Sequence, residues 1–190
     1  MAANNSQLVS AGKPLVSGAL NAAPIGTTAP TGTTSELDAK FVKLGYVSEE
    51  GLTNAVEADS EGVKAWGGAT VLTIRTSRDE TFAWTFIQAM DPDVLKEVYG
   101  EANVTAASGG EISVKHNDLE LSPRVWVFEI LLTGGRMKRI VVPSGTITEV
   151  GDVVYKDGDP IGYEVTMHAA PDAEGNTAYE YISAPKKPAE

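Results

Sequence analysis

The chain contains no cysteine, which excludes a disulfide framework and any thiolate metal site and fits folding in a reducing compartment. Histidine is nearly as scarce. His116 and His168 stand far apart without a partner at metal-ligand spacing, so both read as surface or edge-strand residues. Basic side chains are in the minority, 15 against 26 acidic, for a formal net charge of −11. A grip on a nucleic-acid backbone needs clustered Lys and Arg, so this balance argues against that class and for solubility or repulsion of another polyanion. Long apolar runs are missing too: the longest, Val125 to Leu132, is broken by Glu129 and falls short of a bilayer span. No basic segment followed by an apolar stretch opens the chain, so a cleaved export signal is not expected.

Recognisable chemistry is equally sparse. There is no Gly-x-Ser-x-Gly elbow, no Gly-Lys-Ser/Thr phosphate loop and no Gly-x-Gly-x-x-Gly fingerprint. Asp157-Gly-Asp-Pro-Ile-Gly162 begins like a calcium loop. It fails at the fifth position, Ile161, and at the twelfth, His168, and reads as a β-turn. The carboxylate pairs Glu49 with Glu50 and Asp91 with Asp93 read as solvated. Arg136, Lys138 and Arg139 form the one basic cluster, better explained by salt bridges to acidic neighbours than by a phosphate. No catalytic residue, no metal site and no cofactor is expected.

What the chain has is strand periodicity. Phe82, Trp84 and Phe86 are spaced by two, so a strand puts all three on one side. A helix follows over Pro92 to Tyr99, with Asp91 as N-cap, Pro92 at its first position, Gly100 past its end, and Val94, Leu95 and Val98 as its apolar stripe. Further strands are expected at 40–47, 70–76, 111–115, 124–132, 136–142, 146–155, 161–169 and 178–183. The strand at 124–132 is apolar on both faces, which predicts cover from the core on one side and from something else on the other. Residues 48–69 read as a long acidic loop carrying Glu49, Glu50, Glu57, Asp59 and Glu61. Trp66, beside Gly67 and Gly68, needs a packing partner, on its own domain or on a neighbouring subunit.

Residues 1–35 are rich in Ala, Gly, Ser, Thr, Asn and Pro, with Lys13 as the only charge. They read as a flexible N-terminal arm whose removal leaves the body folded. Residues 36–184 form a single β domain and 185–190 a C-terminal tail. The fold class is mainly β, a sandwich or partly open barrel with one short flanking α-helix and an extended N-terminal arm.

The succession Phe41-Val-Lys-Leu-Gly-Tyr-Val-Ser-Glu-Glu-Gly51, Lys64-Ala-Trp66, Thr76-Ser-Arg-Asp79 with Phe82, and Val94-Leu-Lys-Glu-Val-Tyr-Gly100 resembles the major tail proteins of long-tailed, non-contractile bacteriophages, in particular those of actinobacteria. The resemblance covers most of residues 20–183, and Glu149 to Tyr155 and Ile161 to Glu164 continue it. It implies a virion protein that closes into hexameric rings and stacks into a hollow tail tube. The tube assembles in the host cytoplasm around a tape-measure protein, meets terminator and distal tail proteins at its ends, and conducts DNA without binding it specifically or inserting into a membrane. Contact candidates between subunits or rings are Glu49, Glu50, Lys64, Trp66, Arg75, Arg78 and Asp79. Lumen candidates are polar strand residues, Thr81, Thr85, Glu129, Glu164 and Thr166. The rival readings are a β-sandwich module that binds carbohydrate or a receptor, for which Trp66 in its acidic setting is the one candidate, and a capsid-decorating protein.

Overall fold

The computed structural model describes residues 4–15 and 18–184. The expected C-terminal tail, 185–190, lies outside the described residues, as do 1–3 and 16–17 of the expected arm. Its elements in chain order are β1 (Gly12–Pro14), β2 (Leu20–Pro24), β3 (Val42–Lys43), β4 (Thr53–Lys64), β5 (Thr70–Phe86), α1 (Pro92–Tyr99), β6 (Val104–Ala106), β7 (Ile112–Val114), β8 (Arg124–Leu132), β9 (Arg136–Val150), β10 (Tyr163–Ala169) and β11 (Tyr179–Ile182). The main sheet runs β3-β2-β8-β9-β10-β5-β4, with β1 added on β8 and β11 on β9. A second, two-stranded sheet pairs β6 with β7.

The main sheet curls. Residues 42–48 leave the β2 edge, where Leu44 N–H donates to Leu20 O (3.0 Å), and reach the far end of β5, where Ser48 N–H donates to Thr85 O (2.9 Å) and Ile87 N–H to Tyr46 O (3.1 Å). Val47 makes an isolated bridge to Phe86. The result stops short of a closed barrel and encloses one core, the partly open form expected from strand patterning.

Alternation decides what fills that core. Phe82, Trp84 and Phe86 do point inward together. Phe82 stacks on Phe128 with centroids 5.5 Å apart, and Trp84 meets Trp126 edge-on at 5.3 Å. Val165, Met167, Ile140 and Val142 complete the interior from β10 and β9. Gly145 is required in β9 by close approach, since a Cβ there would sit 2.3 Å from Met167 Sδ and 2.8 Å from Trp126 Cδ1. The Trp126 indole donates to Gly145 O at 2.9 Å, so the same crossing satisfies a buried donor.

The helix forms as its caps dictate. The Asp91 side chain accepts from Asp93 N–H at 3.0 Å, Pro92 opens the first turn, and Gly100 ends it at φ 93°. Val94, Leu95 and Val98 are buried in the core. Glu97, also buried, accepts from Arg124 Nε (3.0 Å), which ties the helix to the start of β8.

Three expectations need correction. Residues 48–69 are not a long loop: 53–64 form β4, paired with β5 from Thr53–Ala83 to Lys64–Thr70. Its acidic residues alternate with small or apolar ones on a strand exposed on both faces, so no apolar face marks it as a strand. Residues 1–35 are not wholly an arm. Leu20, Asn21, Ala22 and Ala23 are buried in β2, between β3 and β8. Pairing on both edges overrides the weak strand propensity of Ala and Asn. The expected strand 70–76 and the one carrying Phe82, Trp84 and Phe86 are a single strand of 17 residues, and 136–142 likewise runs on into the expected strand 146–155, which ends at Val150.

Candidate functional site

Beyond the body, β4 and β5 continue as a hairpin. Every residue of β4 is exposed, as are residues 70–76, 78 and 79 of β5, and burial begins only at Glu80. Glu61 faces Ile74 and Val63 faces Leu72, so Val63, Leu72 and Ile74 lie on one face of the projecting ribbon. All three are exposed, together with Val56 and Val71. At the tip Ala65 N–H donates to Ala69 O (2.8 Å) and Gly68 N–H to Ala65 O (2.9 Å). Gly67 and Gly68 take φ of 103° and 90°, which glycine adopts without strain. Trp66, between β4 and these glycines, is fully exposed.

Among the described residues, the outer edge of β4 and the β5 edge before Asp79 carry no strand partner. Free strand edges template pairing with another chain. Glu57, Asp59, Glu61, Lys64, Arg75 and Arg78 distribute charge along these strands, which discourages unspecific pairing.

The ribbon is fastened at its root. Glu80 is buried; it accepts from Arg78 Nη2 (2.9 Å), from Asn54 Nδ2 (3.2 Å) and from the Thr177 hydroxyl. Burial pushes its carboxyl upward, but the hydrogen bonds from Thr177, Arg78 and Asn54 outweigh it and hold the pKa below the ordinary glutamate value.

The contact candidates therefore separate. Lys64, Trp66 and Arg75 lie on the projecting ribbon, and Glu49 and Glu50 are exposed on the turn before its first strand. Arg78 is engaged inside the subunit by Glu80 and Thr177. Asp79 contacts His168 at 3.2 Å, at the junction with the body.

Four of the five lumen candidates come together. Glu164 pairs with Thr85 and Thr166 with Ala83, while Thr81 faces His168, so Thr81, Thr85, Glu164 and Thr166 share the outer face of the β5–β10 pair. Glu149 of β9, opposite Thr166, extends that face.

The fifth does not belong with them. Glu129 is 8% exposed and pairs with Arg139, itself 5% exposed, on the opposite strand. Arg139 Nη1 donates to Gly32 O (2.6 Å) and Ser35 O (2.8 Å). A carboxylate surrounded by its own subunit offers no charge to a lumen, and Glu129 is withdrawn as a candidate. At Glu129, then, the second cover expected for β8 comes from the N-terminal segment folded back over the Glu129–Arg139 pair. Signals for this clasp were present in the Arg136-Lys138-Arg139 cluster, read as salt-bridging. Lys138 does pair with Glu180 (2.8 Å), and Arg136 Nε donates to Ser183 O (3.0 Å).

No curated protein matches the chain. Among solved structures it is similar to a chain of the virion of a native gene transfer agent particle, at 11% identity, with 78% of this chain and 92% of that one covered and a TM-score of 0.38, a likeness too loose to add weight. The model of a family described as phage tail tube protein matches residues 1–190. This chain belongs to the phage tail tube protein family: a structural protein of the virion tail and not an enzyme.

Proposed function

We propose that copies of this chain close into hexameric rings, that the rings stack into a hollow tube around a tape-measure protein, and that the tube meets terminator and distal tail proteins at its ends and passes DNA to the host. The observation that carries this reading is the β4–β5 ribbon. A two-stranded hairpin solvated on both faces is marginal in water, and this one carries five exposed large aliphatic side chains and a bare Trp66. A neighbouring copy supplies the missing cover. Free ribbon edges allow sheet extension from one subunit to the next, and head-to-tail contacts that do not close generate a filament.

In the same reading the outer face with Thr81, Thr85, Glu149, Glu164 and Thr166 lines the channel. Threonine hydroxyls and carboxylates offer a wet surface with no lysine or arginine among these five residues to hold a phosphate; His168, on the same face, is engaged by Asp79, and like charge lets DNA slide.

Negative-stain electron microscopy of the purified chain over a concentration series tests the proposal. Hollow filaments or stacked rings of uniform diameter are expected, with loss of both when residues 57–77 are replaced by a short turn. A full-length chain that stays monomeric at every concentration, even when seeded with tail fragments, refutes it.

A further inference from the structure

A pocket of about 460 Å³ opens beside the root of the ribbon. Leu20, Leu52, Trp84, Phe128 and Ile130 make it largely apolar; its charged lining residues are Glu49 and Glu50, both exposed, Lys13, and Glu129, which is already paired with Arg139. Two of its lining side chains lack what burial normally requires. Trp84 is 3% exposed, and its indole N–H has no hydrogen-bond partner among the described residues. The Ser48 hydroxyl is likewise buried and unpartnered. Buried donors without acceptors are rare, and each calls for an occupant or a role.

The other end of the ribbon presents the complementary group. Trp66 is a fully exposed aromatic, Lys64 stands two residues before it, and the carbonyls of Trp66 and Gly67 accept no hydrogen bond among the described residues. We propose that the tip of one copy, Ala65 to Gly68, seats in this pocket of a second copy. Trp66 fills the apolar space, a tip carbonyl accepts from the Trp84 indole, and Lys64 meets Glu49 and Glu50 on the rim. The proposal rests on the tube reading above and names the contact that joins its subunits.

Geometry makes the contact intermolecular. The pocket adjoins Thr53, where β4 begins, and the 12 residues of that strand carry the tip about 40 Å away. A tip cannot reach the pocket at its own root. Because knob and hole differ, the contact is heterologous: each copy fills one neighbour and is filled by another. Repeated, it advances the assembly by no more than about one ribbon length per step, roughly 40 Å.

The cysteine-free sequence gives a clean test. The double variant Lys64→Cys/Glu50→Cys replaces two exposed side chains, one at the tip and one on the rim. Treated with a short bismaleimide after assembly, it is expected to give a ladder of dimers, trimers and longer chains on denaturing gels, whereas each single variant gives none. A second arm uses charge: Lys64→Glu raises the critical concentration for filaments about tenfold or more, and adding Glu49→Lys with Glu50→Lys restores it. Filaments without a ladder, or a charge swap that restores nothing, overturn the seat and leave the tube reading standing. A parent chain that never polymerises overturns the reading on which the seat rests.

Discussion

Replacing Arg139 by Ala tests whether the N-terminal segment is held by charge or merely lies there. The guanidinium donates to Glu129 across the strand pair, to the carbonyls of Gly32 and Ser35, and to the Ser35 hydroxyl at 3.5 Å. Losing it strands Glu129, a carboxylate only 8% exposed, without its cation. Breaking one side of a buried pair costs about 3–5 kcal/mol. At roughly 2–4 °C per kcal/mol for a chain of this size, the melting temperature falls by about 6–20 °C. The assay is thermal unfolding of the dilute, unassembled subunit, followed by circular dichroism, with limited proteolysis across residues 25–40 as a second readout. The double variant Arg139→Met/Glu129→Leu removes both charges and is expected to recover most of the loss. A shift below about 2 °C for Arg139→Ala, with unchanged proteolysis, refutes the clasp and returns Glu129 to the list of accessible charges.

Trp66→Ala leaves the subunit's melting temperature unchanged, because the side chain touches solvent only. It raises the critical concentration of filaments about 30-fold or more, the effect of losing a hot spot of about 2 kcal/mol, measured by sedimentation. Glu80 sets an acid limit: its folded pKa is depressed, so its contribution is full above the unfolded value of about 4.3 and disappears as pH falls through the lower folded value. Glu80→Gln therefore flattens the stability–pH curve of the subunit below about pH 4.3 and leaves its slope near neutrality as it was. Gly145→Ala forces a methyl group against Met167 and Trp126 and costs about 1–3 kcal/mol in denaturant unfolding, whereas Gly109→Ala, in open space, costs far less.

Legibility in the sequence followed burial. The strands carrying Phe82, Trp84 and Phe86, or Val165 and Met167, announce themselves because one face is sealed and the other wet. The helix is legible from Asp91, Pro92 and Gly100, whose roles are local and need no tertiary context. β4 leaves no trace of that kind, since a ribbon exposed on both faces has no apolar period for a subunit-level reading to find. β2 fails for the opposite reason. Leu-Asn-Ala-Ala-Pro is weak as a strand and buries because β8 and β3 flank it. Deleting residues 1–35 thus removes a core strand along with the arm, and the body is not expected to survive it. Of the assembly residues, Trp66 is conspicuous as a bare aromatic between glycines. The pocket proposed to receive it is invisible in sequence, because Leu20, Ser48, Trp84 and Phe128 meet only when the sheet curls.

The place of β2 in the sheet also puts a clock on biosynthesis. Leu20 is made well before its pairing partner, Phe128. At roughly 5–20 residues per second, the ribosome needs on the order of 5–20 s to produce the strand that β2 awaits. Until then the wall of the root pocket formed by Leu20 and Phe128 is absent. On the proposed seating of the tip in that pocket, nascent chains on one polysome, crowded and with ribbons already paired locally, have knobs before they have holes. On that proposal, synthesis order holds polymerisation back until the strand carrying Phe128 has been made.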